Sequence, residues 1–185
     1  MSIKENIRNE KRYERSLLSE AHIARLSDNF LSQWIKFSKE LSYQSIGIYY
    51  PFDNEASPFE IMKYLHSKNK DVLLPVIEND LKTLSFAKYD IQSKLLKNHF
   101  GIFEPKEKEF VDIKDIDIVL IPCVAFNDKL FRLGMGGGFY DRTFSKKSST
   151  ILIGVAYSFQ YESESFQEEH DVKMDYVITQ KGVLK

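Results

Sequence analysis

Residues Ile118 to Phe126 read IVLIPCVAF, the longest apolar run in the chain. At nine residues including Pro122, it has about half the length of a membrane-spanning helix. A near-continuous run of this kind suits a strand covered on both faces, and so a mostly parallel sheet between helices. Ser45–Tyr50, Val72–Ile77, Leu84–Tyr89, Ile116–Phe126, Ile151–Ala156 and Tyr176–Thr179 all read as strands, with helical or polar segments between them. At 185 residues the chain suits one domain. The expected architecture is therefore a three-layer α/β/α single domain over residues 1–185.

From Ser2 to about Glu40 the periodicity is helical. Ile23, Leu26, Phe30, Leu31, Trp34 and Phe37 make one apolar stripe, the mark of a core-facing helix. In the first segment Lys4, Arg8, Lys11 and Arg15 fall within roughly 60° of one another, with Ile3, Ile7 and Leu18 beside them. Taken alone, this cationic stripe reads as a solvated face balanced by Glu5, Glu10 and Glu14. Ser57-Pro58-Phe59-Glu60 reads as a capping box that opens a helix to about Ser67. The segment from SIGIYY through this helix to VLLPVI is then a βαβ unit. Lys106–Lys114 reads as a charged surface connection.

Charge and cysteine content narrow the function. Lys and Arg number 26 against 27 Asp and Glu, a net charge of −1. Binding to nucleic acid through overall charge is thereby disfavoured, and any cationic site must be local. Cys123, the single cysteine, can neither close an internal disulfide nor assemble a zinc site, and it sits in an apolar strand as a small hydrophobe. A reducing cytoplasm fits. The first residues lack the apolar core of a signal peptide and read as mature sequence, and no membrane span is expected.

Four of the eight glycines, Gly134, Gly136, Gly137 and Gly138, crowd into the segment Arg132 to Arg142. Each costs backbone entropy, so the cluster implies positive φ or close approach by another group. It follows the buried strand and precedes a short helix from Phe139 to about Ser145, a geometry that gathers N–H groups into an anion site. The pattern matches neither standard nucleotide motif, since no Lys follows the last glycine and Phe139 fills the final position of G-x-G-x-x-G. Arg132 and Arg142 bracket the turn and can contact phosphate oxygens. Asp141 can hold Mg²⁺, or compensate the helix dipole. His170–Asp175 offers a second carboxylate or a solvated turn, and Tyr49–Glu55 follows the first strand, where open α/β sheets bind ligands. No Ser/His or Cys/His arrangement suggests nucleophilic catalysis.

In this order and spacing, Lys4-x-x-x-Arg8, YYPFDNEAS, LLPVI, IVLIPCVAFNDKLFRLGMGGGFYDR and HDVKMDYVIT resemble the 5-formyltetrahydrofolate cyclo-ligase family over nearly the whole chain. The resemblance implies ATP-dependent cyclisation of 5-formyltetrahydrofolate to 5,10-methenyltetrahydrofolate, with Mg²⁺ accompanying ATP. It implies that Lys4 and Arg8 contact ATP phosphates, together with the loop Arg132, Leu133, Gly134, Met135, Gly136, Gly137, Gly138, Phe139 and Tyr140. Arg132 and Asp141 become the catalytic pair, and Asp141 and Asp171 the metal positions. Tyr50 and Glu55 face folate, and Met135 to Phe139 form a surface shared by folate and nucleotide. Many relatives carry Tyr at Phe139, and some carry Lys at Gly137. A sugar-phosphate isomerase or acyl-CoA transferase on a similar sheet, or a non-catalytic nucleotide- or folate-binding module, are the rival readings.

Overall fold

In the computed structural model, which describes residues 2–78, 80–146 and 149–185, the apolar run forms the middle of the sheet. Strand β7 (Ile118–Pro122) lies between β1 (Ser45–Gly47) and β10 (Ile151–Val155), parallel to both. Its residues alternate between two covered faces. Ile118 and Leu120 enter one core, while Val119 and Ile121 enter the other.

Parallel pairing continues outward from this centre to β2 (Asp71–Glu78) on one side and β11 (Tyr176–Thr179) on the other. Antiparallel strands close both edges: β3 (Thr83–Lys88) and β6 (Phe110–Val111) beyond β2, and β12 (Gly182–Leu184) beyond β11. The resulting order is β12-β11-β10-β7-β1-β2-β3-β6. Two small hairpins stand apart from it. They are β4 (Leu95–Lys97) with β5 (Phe103–Pro105), and β8 (Ala125–Phe126) with β9 (Arg132–Leu133).

The expected long N-terminal helix is two helices, α1 (Ile3–Ser16) and α2 (Glu20–Phe37). The break follows from Ser19, whose hydroxyl accepts from the His22 N–H and starts the second helix as its N-cap. On α2, Phe30 and Trp34 are fully buried and pack with α3 (Phe59–Ser67) over one face of the sheet. Burying each such side chain contributes about 1.5–3 kcal/mol. The opposite face is covered more thinly, by Phe144 at the end of α4 (Phe139–Thr143) and by Ile116.

Other expectations shift locally. Helix α3 begins one residue late, with Pro58 as N-cap and no side-chain cap hydrogen bond, so the capping box does not form. The Ser57 hydroxyl instead accepts from the Phe59 N–H at 3.4 Å. The run Ile116–Phe126 divides into β7 and β8. The ladder of the strand at Ser45 ends at Gly47, with one further backbone bond from the Ile48 N–H to the Leu73 carbonyl at 2.8 Å. Lys106–Lys114 is more than a connection, since it contributes β6 to the sheet edge.

Candidate active site

Strand order decides where a ligand can sit. The parallel strands run β11-β10-β7-β1-β2, so successive crossovers reverse direction between β1 and β7. Open α/β sheets bind ligands outside the carboxyl ends of their strands at such a switch point. A cavity of about 530 Å³ opens there, lined by Tyr49 and Tyr50 after β1, Pro122 and Val124 at the end of β7, and Pro75 and Ile77 of β2. Its volume falls in the range of small-molecule sites, ~300–1,000 Å³.

All the residues assigned from the resemblance line this one cavity: Lys4 and Arg8 of α1, Tyr50 and Glu55 after β1, the run Arg132 to Asp141, and Asp171. Lys11 and Arg15 do not line it. They are buried instead of solvated, Lys11 against Glu10 and Glu14, and Arg15 against Asp53.

Arg132 reaches the cavity because the chain turns back on itself after β7. Asn127 shapes the turn, its Oδ1 accepting from the N–H groups of Lys129 and Phe131, and β9 then pairs with β8. The buried Arg132 guanidinium donates to Asp141 Oδ1 at 3.1 Å and lies 5.3 Å from the Tyr140 ring centroid. The Val172 N–H donates to the same Asp141 oxygen at 3.2 Å. In the glycine loop, Gly136 and Gly138 take φ of 100° and 65°, the positive values that a side chain opposes. Arg8 ties this loop to α1 through a 2.9 Å hydrogen bond from Nε to the Gly134 carbonyl. Arg142 also lines the cavity, with an exposed side chain that donates to the carbonyls of Lys82 and Gly137 and so braces the loop.

Cations and carboxylates here are bonded to each other, not segregated. Lys4 Nζ lies 2.8 Å from Asp171 Oδ2 and 3.1 Å from Glu168 Oε2. Burial lowers the lysine pKa, but these two carboxylates outweigh it and the net shift is upward. Glu55 is different. Burial pushes its carboxyl up to about 7, against the Phe52 N–H and Arg15, which favour the ionised form. Burial also lifts the Cys123 thiol to about 12, so it stays protonated and inert.

Asp141 and Asp171 supply hard oxygen donors to the same cavity, and one or two carboxylates with substrate phosphates make a usual Mg²⁺ shell. Among the described residues there is no ready-made group of three or more His, Cys, Asp or Glu able to hold a metal.

Sequence reasoning passed over the β4–β5 hairpin, which brings Asn98, Ile102 and Glu104 to the cavity. Glu104 is buried and accepts from Asn98 Nδ2 at 2.8 Å and from the Ile77 N–H at 3.0 Å, docking the hairpin onto β2. At the hairpin tip, Phe100 packs edge-on against Phe139 with centroids 5.9 Å apart. Phe139 therefore joins the glycine loop to the hairpin by apolar contact. The turn residues Asn98 and Gly101 between LLK and FEP were the available signal.

A doubly wound α/β domain with its charged cavity and glycine loop at the switch point has the form of an α/β enzyme that handles a phosphorylated ligand. More particularly, the chain belongs to the 5-formyltetrahydrofolate cyclo-ligase family, whose sequence model matches residues 1–180. A 5-formyltetrahydrofolate cyclo-ligase of Haemophilus influenzae is 34% identical over 172 residues, covering 90% of this chain and 91% of that protein. The Escherichia coli K12 protein of the same name is 33% identical over 144 residues, 75% of this chain and 79% of its own. The solved structure of Aquifex aeolicus 5,10-methenyltetrahydrofolate synthetase superposes with a TM-score of 0.84 at 30% identity, covering 98% of this chain and 92% of that one. The isomerase and transferase readings rested on sheet likeness alone and give way to this family. Among the described residues no helix is long and apolar enough to cross a membrane.

Proposed function

We propose that this chain cyclises 5-formyltetrahydrofolate to 5,10-methenyltetrahydrofolate in the cytoplasm, consuming ATP and releasing ADP and phosphate. The observation that carries the reading is the convergence of residues as distant as Lys4, Glu55, Arg132 and Asp171 on one switch-point cavity in a member of this family. An N-formyl group is a poor electrophile. Transfer of the γ-phosphoryl group to the formyl oxygen makes an activated imidate; N10 then attacks the formyl carbon, loses its proton, and phosphate departs with that oxygen.

In this chemistry the protein supplies positioning and charge, and needs no covalent nucleophile. Lys4, Arg8 and Arg132 contact the polyphosphate, and the positive-φ glycines let backbone N–H groups approach it. Asp141 and Asp171 would hold Mg²⁺, which when bound neutralises charge on the phosphates. Arg132 and Asp141 act as a pair, the carboxylate fixing the guanidinium that faces the transferring group. Glu55, with its carboxyl near neutrality, can donate or accept a hydrogen bond at the folate ring, beside the aromatic Tyr50. Met135 to Phe139 form the surface that the two ligands share. With 5-formyltetrahydrofolate and Mg-ATP, the methenyl chromophore is expected to appear together with ADP. Formation of neither product would remove the reading.

A further inference from the structure

Arg15 is 1% exposed, yet it does not line the cavity. Its Nη2 donates to Asp53 Oδ2 at 2.8 Å, an oxygen that also accepts from Arg12 Nε at 3.0 Å. Its backbone carbonyl accepts from Asn54 Nδ2 at 3.2 Å. Helix α1 therefore grips two successive residues, Asp53 and Asn54, whose φ values are 52° and 54°. Asp and Asn tolerate this left-handed conformation better than other side chains do, and the bonds from α1 hold them in it.

The next residue is Glu55. Its N–H donates to the Phe52 carbonyl at 3.0 Å and its Oε2 accepts from the Phe52 N–H at 3.1 Å, so the turn closes around the carboxylate. Tyr157 donates to the Glu55 carbonyl at 3.2 Å from the other side. Arg15 Nε and Nη1, meanwhile, are buried without partners. An apolar side chain would fill that space without stranding two donors, so packing does not account for the arginine.

We propose that Arg15 is a positioning residue for Glu55: from α1 it holds the Asp53–Asn54 turn in its left-handed form and so fixes the Glu55 carboxylate in the cavity. The inference rests on Glu55 facing the folate substrate. Charge gives it a second signature. Glu55 is faced by Arg15, Asp53, Tyr49, Tyr140, Tyr157 and Cys123. Lys4, Arg8 and Arg132 line the same cavity as Glu55, and Arg15 is the cation that opposes the upward push of burial and of Asp53 on its carboxyl.

The test compares Arg15→Met and Arg15→Lys in the full chain. Met fills the buried stem without charge and Asp53 retains Arg12, so the variant is expected to fold. Amide exchange over residues 52–56 should then rise about tenfold in Arg15→Met while α2 and the sheet keep their protection. The KM for 5-formyltetrahydrofolate should rise about tenfold and the KM for ATP stay within about twofold. The pH limb set by Glu55 should move upward in Arg15→Met and return in Arg15→Lys, which restores the charge. Unchanged exchange over 52–56 overturns the proposal whatever the activity, as does an active Arg15→Met enzyme with unaltered folate KM and pH limb. If the unaltered chain makes no methenyl product, the functional reading fails, and the exchange result alone then decides whether Arg15 anchors the turn.

Discussion

Glu55 shows how burial turns an ordinary side chain into a titrating group at neutral pH. Its carboxyl is lifted from 4.5 to about 7 because the ionised form is desolvated. The folded chain thus binds this proton more tightly than the unfolded chain does. Its stabilising contribution is complete below about pH 4.5 and is lost as pH rises through about 7, a total of about 3 kcal/mol. Glu55→Gln keeps an acceptor for the Phe52 N–H and removes the titration. Denaturant unfolding at pH 5 and pH 8 should show the variant gaining about 2.5 kcal/mol on the unaltered chain between the two; a constant difference would contradict the assignment. Residue identities at the site were readable in sequence, but their pairing was not. Nothing in the spacing of Lys4 and Asp171, or of Arg15 and Asp53, shows that each cation sits against a carboxylate, because those contacts depend on how α1 packs beside β8.

At the scale of elements, the glycine loop acts as a unit with the parts that hold it: α1 through Arg8, α4 through Arg142 and the β4–β5 hairpin through Phe100. A Cβ at Gly136 would lie 3.7 Å from the Arg8 guanidinium, ordinary contact, so space does not forbid a side chain there. The backbone does, with φ at 100°. Gly136→Ala should therefore cost about 1–3 kcal/mol and raise the KM for ATP, whereas Gly182→Ala, whose Cβ meets nothing within 4 Å, should change neither. Equal melting temperatures for the two variants would contradict this account. The central strands were legible because their side chains alone decide their burial: IVLI needs cover on both faces wherever it sits. The β4–β5 hairpin, β9 and β6 were not, and β8 was legible only as the end of a longer strand. They are two- and three-residue strands held by turns and by a neighbour's free edge, and runs that short carry no periodicity.

Over the whole molecule, near-zero net charge conceals a cavity lined by opposed pairs, Lys4 with Asp171 and Arg132 with Asp141, drawn from α1, the β9–α4 segment and the stretch before β11. The topology gathers them, since the reversal between β1 and β7 leaves a crevice that every contributing segment borders. Parallel-sheet class could be read from the sequence, whereas strand order, and with it the switch point, depended on pairings that no local pattern encodes. In the proposed reaction the cavity brings the formyl oxygen of the folate to the γ-phosphate of ATP. Turnover of 5-formyltetrahydrofolate carrying ¹⁸O in the formyl group tests it most directly. The label should be recovered in inorganic phosphate, one oxygen for each methenyl product; methenyl product formed with unlabelled phosphate would rule out phosphorylation of the formyl oxygen.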